Sequence, residues 1–134
     1  MLVEQRTYTT HPGQWRNYLA LYEAEGLAVQ QRILGRMVGY YTTESGPLNQ
    51  IVHLWAYTDW NERAQLRARL MADSQWQAYV AKMLPMLQNQ ESKFLTPAPF
   101  FQPLWQQALS EPAGAWQRPA PQPPVSLTGD HHAL

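Results

Sequence analysis

The chain contains no cysteine, which excludes disulfides, thiol nucleophiles and thiolate metal sites. It also lacks an excess of either charge, because ten basic and ten acidic residues give a formal net charge of zero. This balance disfavours nucleic acids and anionic membrane surfaces as partners. No apolar run approaches the roughly 20 residues of a membrane span, and the start lacks a signal-peptide pattern. We therefore expect a cytoplasmic protein with no membrane or nucleic-acid partner.

A length of 134 residues suits one domain with its own core. From about Glu111 the composition changes, because five prolines fall between Pro112 and Pro124 and the last residues offer little to bury. We predict a folded domain over residues 1–110 and an extended or disordered tail over residues 111–134.

The clearest pattern is a predicted hairpin between Gly39 and Tyr57, whose turn lies at Ser45-Gly46-Pro47. Side chains alternate along its second strand. One face carries Val52, Leu54 and Ala56, and the other carries Asn49, Ile51, His53, Trp55 and Tyr57. Helices should cover the aliphatic face, whereas the aromatic face has the hydrogen-bonding groups of a cleft or an interface.

The remaining segments complete an α+β order of strand, helix, strand, strand, helix, strand. Leu2 to Thr9 reads as a strand, a helix runs from near Pro12 to about Gln31, and the first hairpin arm covers residues 33–43. Asp59 and Asp73 are predicted to cap two further helices, the second ending near Leu84 before Pro85. Glu91 to Leu95 is the last predicted strand, after which Pro97, Pro99 and Pro103 should stop regular structure.

This order is the ferredoxin-like βαββαβ plan, in which helices cover one face of the sheet. The predicted open face is polar and aromatic, carrying Glu4, Arg6, Tyr8, Ile51, His53, Trp55 and Tyr57. Such a surface left in water is an interaction site. We expect two copies to cover it by homodimerising sheet against sheet.

Several motifs, in order, resemble the NIPSNAP family. They are Glu4-x-Arg6-x-Tyr8, Pro12-Gly13, Leu34-Gly35, Gly39-Tyr40-Tyr41-Thr42-Thr43-Glu44-x-Gly46-x-Leu48-Asn49, His53-Leu54-Trp55-x-Tyr57-x-Asp59, Arg63 and Trp76. The resemblance implies a dimeric α+β barrel with a small cavity in each subunit, but no settled activity. The barrel superfamily that this family resembles includes cofactor-independent monooxygenases, haem-degrading enzymes and isomerase-like proteins, which use a pocket with one or two polar groups. We predict no cofactor for this chain.

The candidate catalytic residues are His53, as a proton-transfer group, and Arg6, which would steady developing negative charge. Each has a structural alternative: a paired histidine in the core, and a buried ion pair between Glu4 and Arg6. Arg63 and Arg67 lie one helical turn apart and could meet an anion, but a solvated helix face is the favoured interpretation. The predicted ligand-binding residues are Glu4, Tyr8, Tyr41, Asn49, Trp55 and Tyr57.

Two functions follow from these residues. The first is a small monooxygenase- or isomerase-like enzyme whose pocket binds an apolar or aromatic molecule. The second is a non-catalytic binding or scaffold protein that acts through protein–protein contacts. No metal-ligand cluster or nucleophilic triad is apparent in the sequence.

Overall fold

Four strands form one antiparallel sheet in the computed structural model, which describes residues 1–109. They are β1 (Leu2–Thr10), β2 (Met37–Thr42), β3 (Gln50–Tyr57) and β4 (Leu87–Leu95). Their order across the sheet is β2-β3-β1-β4. With the helices between them, this confirms the predicted α+β, ferredoxin-like fold. The predicted tail over residues 111–134 lies outside the described residues.

Within residues 1–109, five α-helices connect or follow the strands: α1 (Trp15–Leu21), α2 (Leu27–Leu34), α3 (Trp60–Ala72), α4 (Ser74–Met83) and α5 (Gln102–Leu109). A π-helical turn, Tyr22–Gly26, joins α1 to α2, and a 3-10 turn, Leu84–Met86, follows α4. Among these described helices, none is long and apolar enough to cross a membrane.

Two aspartates begin the third and fourth helices, as predicted. The Asp59 side chain accepts a hydrogen bond from the Glu62 amide at 2.7 Å, and Asp73 accepts one from the Trp76 amide at 2.9 Å. Each satisfies an amide that has no partner within the first helical turn. Asp73 therefore both ends α3 and begins α4.

The hairpin turn uses backbone conformations with positive φ. Gly46 has φ of 77° and Asn49 has φ of 62°. Asn49 also accepts a hydrogen bond from the Gly13 amide through its side-chain oxygen, at 3.1 Å. The predicted start of the first arm at Ile33 was too early, because α2 continues to Leu34 and ends at Gly35.

The prediction that prolines stop regular structure after β4 was wrong, because α5 includes Pro103. Proline is tolerated in a first helical turn, where its missing amide hydrogen would have no partner in the helix. From α5 the Trp105 ring packs against Val3 and Ala56, on the sheet face away from α1–α4.

The predicted assignment of the two sheet faces was also wrong. Ile51, Trp55 and Tyr57 are fully buried in the cluster that contains the core side chains of α1–α4. Several polar atoms on this side pair with each other: the hydroxyls of Tyr18 and Tyr40 are 2.7 Å apart, and Tyr22 donates to Gln30 at 2.6 Å. Because these pairs remove much of the cost of burying hydroxyls, the larger aromatic side chains form the core.

Candidate functional site

A fully buried carboxylate, Glu4, organises the polar part of the helix-covered face. Glu4 is 0% exposed and accepts hydrogen bonds from Arg6 at 2.9 Å, from Ser92 at 2.6 Å and from two nitrogens of Arg63 at 3.1 Å. Burial alone would raise its pKa, but the hydrogen bonds from Arg63 and Ser92 and the charge of Arg6 outweigh it and lower the pKa to about 2. Glu4 therefore links β1, α3 and β4 as a permanent anion.

A third arginine, Arg67, lies on the same helix as Arg63 but forms no ion pair with a carboxylate of the described residues. It lies one turn after Arg63 on α3 and is half-buried. Within residues 1–109 it makes no hydrogen bond or ion pair, and its pKa is lowered by burial and by the positive charge of Arg6. The predicted solvated face at Arg63 and Arg67 was therefore wrong. We call Glu4, Arg6, Arg63 and Arg67 the arginine cluster.

His53 is neutral and presents a hydrogen-bond donor. The ring is 1% exposed, and its Nδ1 accepts a hydrogen bond from the Trp55 indole at 2.7 Å. The proton of a neutral imidazole therefore lies on Nε2, which has no partner among the described residues. Burial, followed by the charge of Arg6, lowers the pKa of His53 to about 3. A resting role as proton acceptor does not fit this geometry.

Tyr57 supplies a second buried group without a partner in the described chain. Its hydroxyl makes no hydrogen bond there, and burial raises its pKa to about 12, so it stays protonated. The charge of Arg67 acts on both Tyr57 and His53. Both donors lie on β3, four residues apart and therefore on the same face of the sheet.

Aromatic rings enclose His53 on several sides. The Tyr40 ring stacks on it and the Tyr8 ring meets it edge-on, each at 4.8 Å between centroids. The Arg6 Nε donates to the Tyr8 hydroxyl at 3.0 Å. This part of the site therefore combines apolar ring surface with directed polar groups, the composition expected of small-molecule sites.

Six of the eight predicted site residues come together on this face. Strand pairing places Arg6 opposite His53 and Glu4 opposite Trp55, with Tyr8 and Tyr57 farther along the same strands. Tyr41 does not join them, because it lies on the opposite face and is 58% exposed. Asn49 does not either, since its side chain caps the Gly13 amide in the hairpin loop.

The predicted site residues did not include Arg63, Arg67 or Ser92, although the two arginines were noted as able to meet an anion. The four-residue spacing of Arg63 and Arg67 was a usable signal, because it places both on one helix face. Ser92 carried no comparable signal, since nothing in an alternating polar strand distinguishes the side that faces a buried carboxylate.

The other face of the sheet is partly uncovered. An apolar groove of about 270 Å³ lies beside α5, lined by Val3, Val38, Leu54, Leu95, Thr96, Pro97, Phe101 and Trp105. The neighbouring end of the face is polar, around Gln5, Thr7, Glu91 and Lys93. These residues are the surface available to a second copy of the chain.

Comparison with known sequences gives one family. The sequence model described as NIPSNAP matches residues 3–102. The chain is 36% identical over 94 residues to "Protein NipSnap homolog" of Dictyostelium discoideum, covering 70% of this chain and 41% of that protein. It is 31% identical over 100 residues to "Protein NipSnap homolog 2" of Homo sapiens, covering 72% and 33% respectively. The chain thus spans less than half the length of these relatives.

Solved structures of NIPSNAP family proteins are also similar to this chain. A NIPSNAP domain protein from Burkholderia xenovorans, titled uncharacterized, is 46% identical with a TM-score of 0.72, covering 75% of this chain and 97% of that one. A family protein from Agrobacterium tumefaciens, titled as having unknown function, is 42% identical with a TM-score of 0.73, covering 75% and 90%. An antibiotic biosynthesis monooxygenase shares the fold at 15% identity and a TM-score of 0.53, covering 74% and 100%.

Proposed function

The chain belongs to the NIPSNAP family, and we propose that it is a homodimer in which each subunit binds a small, largely aromatic or apolar molecule between its sheet and helix α3. The observation that carries this proposal is the Nε2–H of His53, a buried donor without a partner among the described residues. A buried donor left unpaired costs about 1 to 3 kcal/mol, and native proteins keep few of them. A bound molecule with an acceptor atom would satisfy it.

If the site performs chemistry, the residues favour a monooxygenase- or isomerase-like reaction at a carbonyl compound. His53 would donate a hydrogen bond to the substrate oxygen, and Arg6 would stabilise negative charge developing on it. This differs from the proton-transfer role predicted for His53, because Nδ1 accepts a hydrogen bond from Trp55 and burial lowers the pKa to about 3. The fold shared with a monooxygenase is an analogy and does not set the reaction.

Dimerisation through the uncovered sheet face is the second part of the proposal. The groove beside α5 offers apolar side chains such as Val38 and Leu54, and a self-complementary contact would bury them in both copies. The ligand site lies on the other side of the sheet. Binding is therefore expected within each subunit.

A non-catalytic scaffold is the alternative function. It is supported by exposed apolar side chains at the start of α5, where Phe100 is 86% exposed and Leu104 is 60% exposed. Exposed apolar side chains that cluster in this way mark contact surfaces for proteins.

Native mass spectrometry of freshly purified protein tests the proposal. We expect a dimer that retains a small molecule, and loss of that molecule in His53→Ala because its hydrogen-bond donor is removed. His11→Ala is the matched control, since His11 is exposed at the end of β1 and should leave the bound mass unchanged. A monomer would refute the dimer, and a dimer that never carries a bound mass would favour the scaffold.

A further inference from the structure

We infer that Arg67 binds an anionic group of the ligand, which is therefore a carboxylate-bearing aromatic or apolar molecule. This inference rests on the small-molecule site proposed above. The guanidinium of Arg67 would hold the carboxylate, and the buried donors of His53 and Tyr57 would serve the ligand's remaining acceptor atoms.

Charge counting in the arginine cluster gives the first reason. The cluster contains three guanidinium groups and one carboxylate, and Arg6 and Arg63 already bind that carboxylate. The remaining half-buried arginine of the described chain, Arg36, pairs with Glu62 at 2.8 Å. Arg67 is thus the half-buried arginine in residues 1–109 without an anionic partner, and a partly desolvated charge needs one.

The second reason is the chemistry of β3, the strand against which α3 packs. His53 and Tyr57 both present a proton on a buried atom without a described partner. Two neutral donors and a cation suit oxygen acceptors, and the planar guanidinium matches a carboxylate in particular. A cationic or purely hydrocarbon ligand would leave all three unsatisfied.

The third reason is access. Arg67 is half-buried, whereas His53 and Tyr57 are 1% and 0% exposed. A ligand held at Arg67 could keep its anionic end near solvent while its apolar body lies against the aromatic rings. This arrangement avoids the cost of burying an isolated carboxylate completely.

The test uses benzoate and its neutral analogue benzamide as probes, added to the full chain after removal of retained molecules and followed by isothermal titration calorimetry. We expect benzoate to bind more tightly than benzamide. Arg67→Met should weaken benzoate about ten- to a hundredfold, the loss expected for a hydrogen bond to a charged group. Arg67→Lys keeps the positive charge and should retain part of the affinity for benzoate. Arg69→Met is the control, because Arg69 lies two residues after Arg67 and is exposed.

A second measurement needs no ligand. Without an anion, the unpaired charge of Arg67 opposes folding, so Arg67→Met should raise the melting temperature of the ligand-free protein by a few degrees. Arg69→Met should leave it nearly unchanged.

Each outcome separates the inference from the proposed function. Benzamide binding as tightly as benzoate, or benzoate binding unaffected by Arg67→Met, would overturn the anionic anchor while leaving a small-molecule site in place. Absence of binding by both probes, with no retained mass in the purified protein, would overturn the site itself and the anchor with it. A melting temperature lowered by Arg67→Met as much as by loss of a paired arginine would show that Arg67 has a structural partner instead.

Discussion

Replacing Glu4 by glutamine should remove much of the stability of this fold. The Glu4 carboxylate is fully buried and holds Arg6, Arg63 and Ser92, which come from three different elements. In Glu4→Gln one carboxylate oxygen is replaced by an amide group that donates hydrogen bonds and faces arginine donors, and Arg6 and Arg63 lose their common anion. Breaking a buried ion pair from one side costs about 3 to 5 kcal/mol.

The lowered pKa of Glu4 gives an independent magnitude. The pKa of Glu4 falls from its ordinary value of 4.5 to about 2 on folding. At about 1.4 kcal/mol per pKa unit, this shift contributes about 3 kcal/mol to the free energy of unfolding. Because the folded pKa is the lower one, this contribution is complete above pH 4.5 and is lost as the pH falls toward 2. The stability difference between the wild type and Glu4→Gln should therefore shrink across that window.

Urea unfolding at equal protein concentrations, at pH 7, 5, 4 and 3, measures this difference directly. His53 also titrates on acid unfolding, but it is present in both proteins, so comparing them isolates the Glu4 contribution. Glu44→Gln is the matched control, because Glu44 is exposed in the hairpin loop. A loss below about 1 kcal/mol at pH 7, or the same loss at pH 7 and pH 3, would refute the reasoning.

Two further predictions concern buried rings. Gly26→Ala should lower the free energy of unfolding by about 1 to 3 kcal/mol, although alanine favours helices. The reason is steric, because the alanine Cβ would lie 2.8 Å from the Tyr22 ring and 3.0 Å from the Tyr79 ring. Thermal unfolding measures the change, and a more stable variant would contradict the prediction. For His53, nitrogen NMR should show a protonated Nε2, an unprotonated Nδ1 and no titration between pH 5 and 8, whereas a midpoint near 6.5 would mean that the ring is solvated.

The sequence predicted the elements well wherever the signal was local. Asp59 and Asp73 cap helices because their side chains reach amides three residues away, and the turn at Gly46 follows from its backbone freedom. Such interactions depend on neighbours in the chain, so a short stretch of sequence contains all the information that they need.

The side of the sheet that the helices cover could not be derived in the same way. Alternation along β3 separates two faces but does not state which one meets the helices. That choice depends on whether helix residues can pair the polar atoms of the aromatic face, as Tyr18 does for Tyr40. A solvated face was favoured for Arg67 for a related reason, because its surroundings include β1, which is distant in sequence.

The reversal of faces changes how dimerisation and binding are related. A pocket between two open sheets would be built from both subunits, so that losing the dimer would destroy it. His53, Tyr57 and the β1 residues Glu4 and Arg6 instead lie on the sheet face that α3 of the same subunit covers, and Arg63 and Arg67 belong to α3 itself. Val38 and Leu54 lie on the opposite side of the sheet. Contacts between copies on the uncovered face can therefore affect the ligand site only through β1 and β3, whose residues alternate between the two surfaces. For that reason we expect dimerisation to modulate binding and not to be required for it.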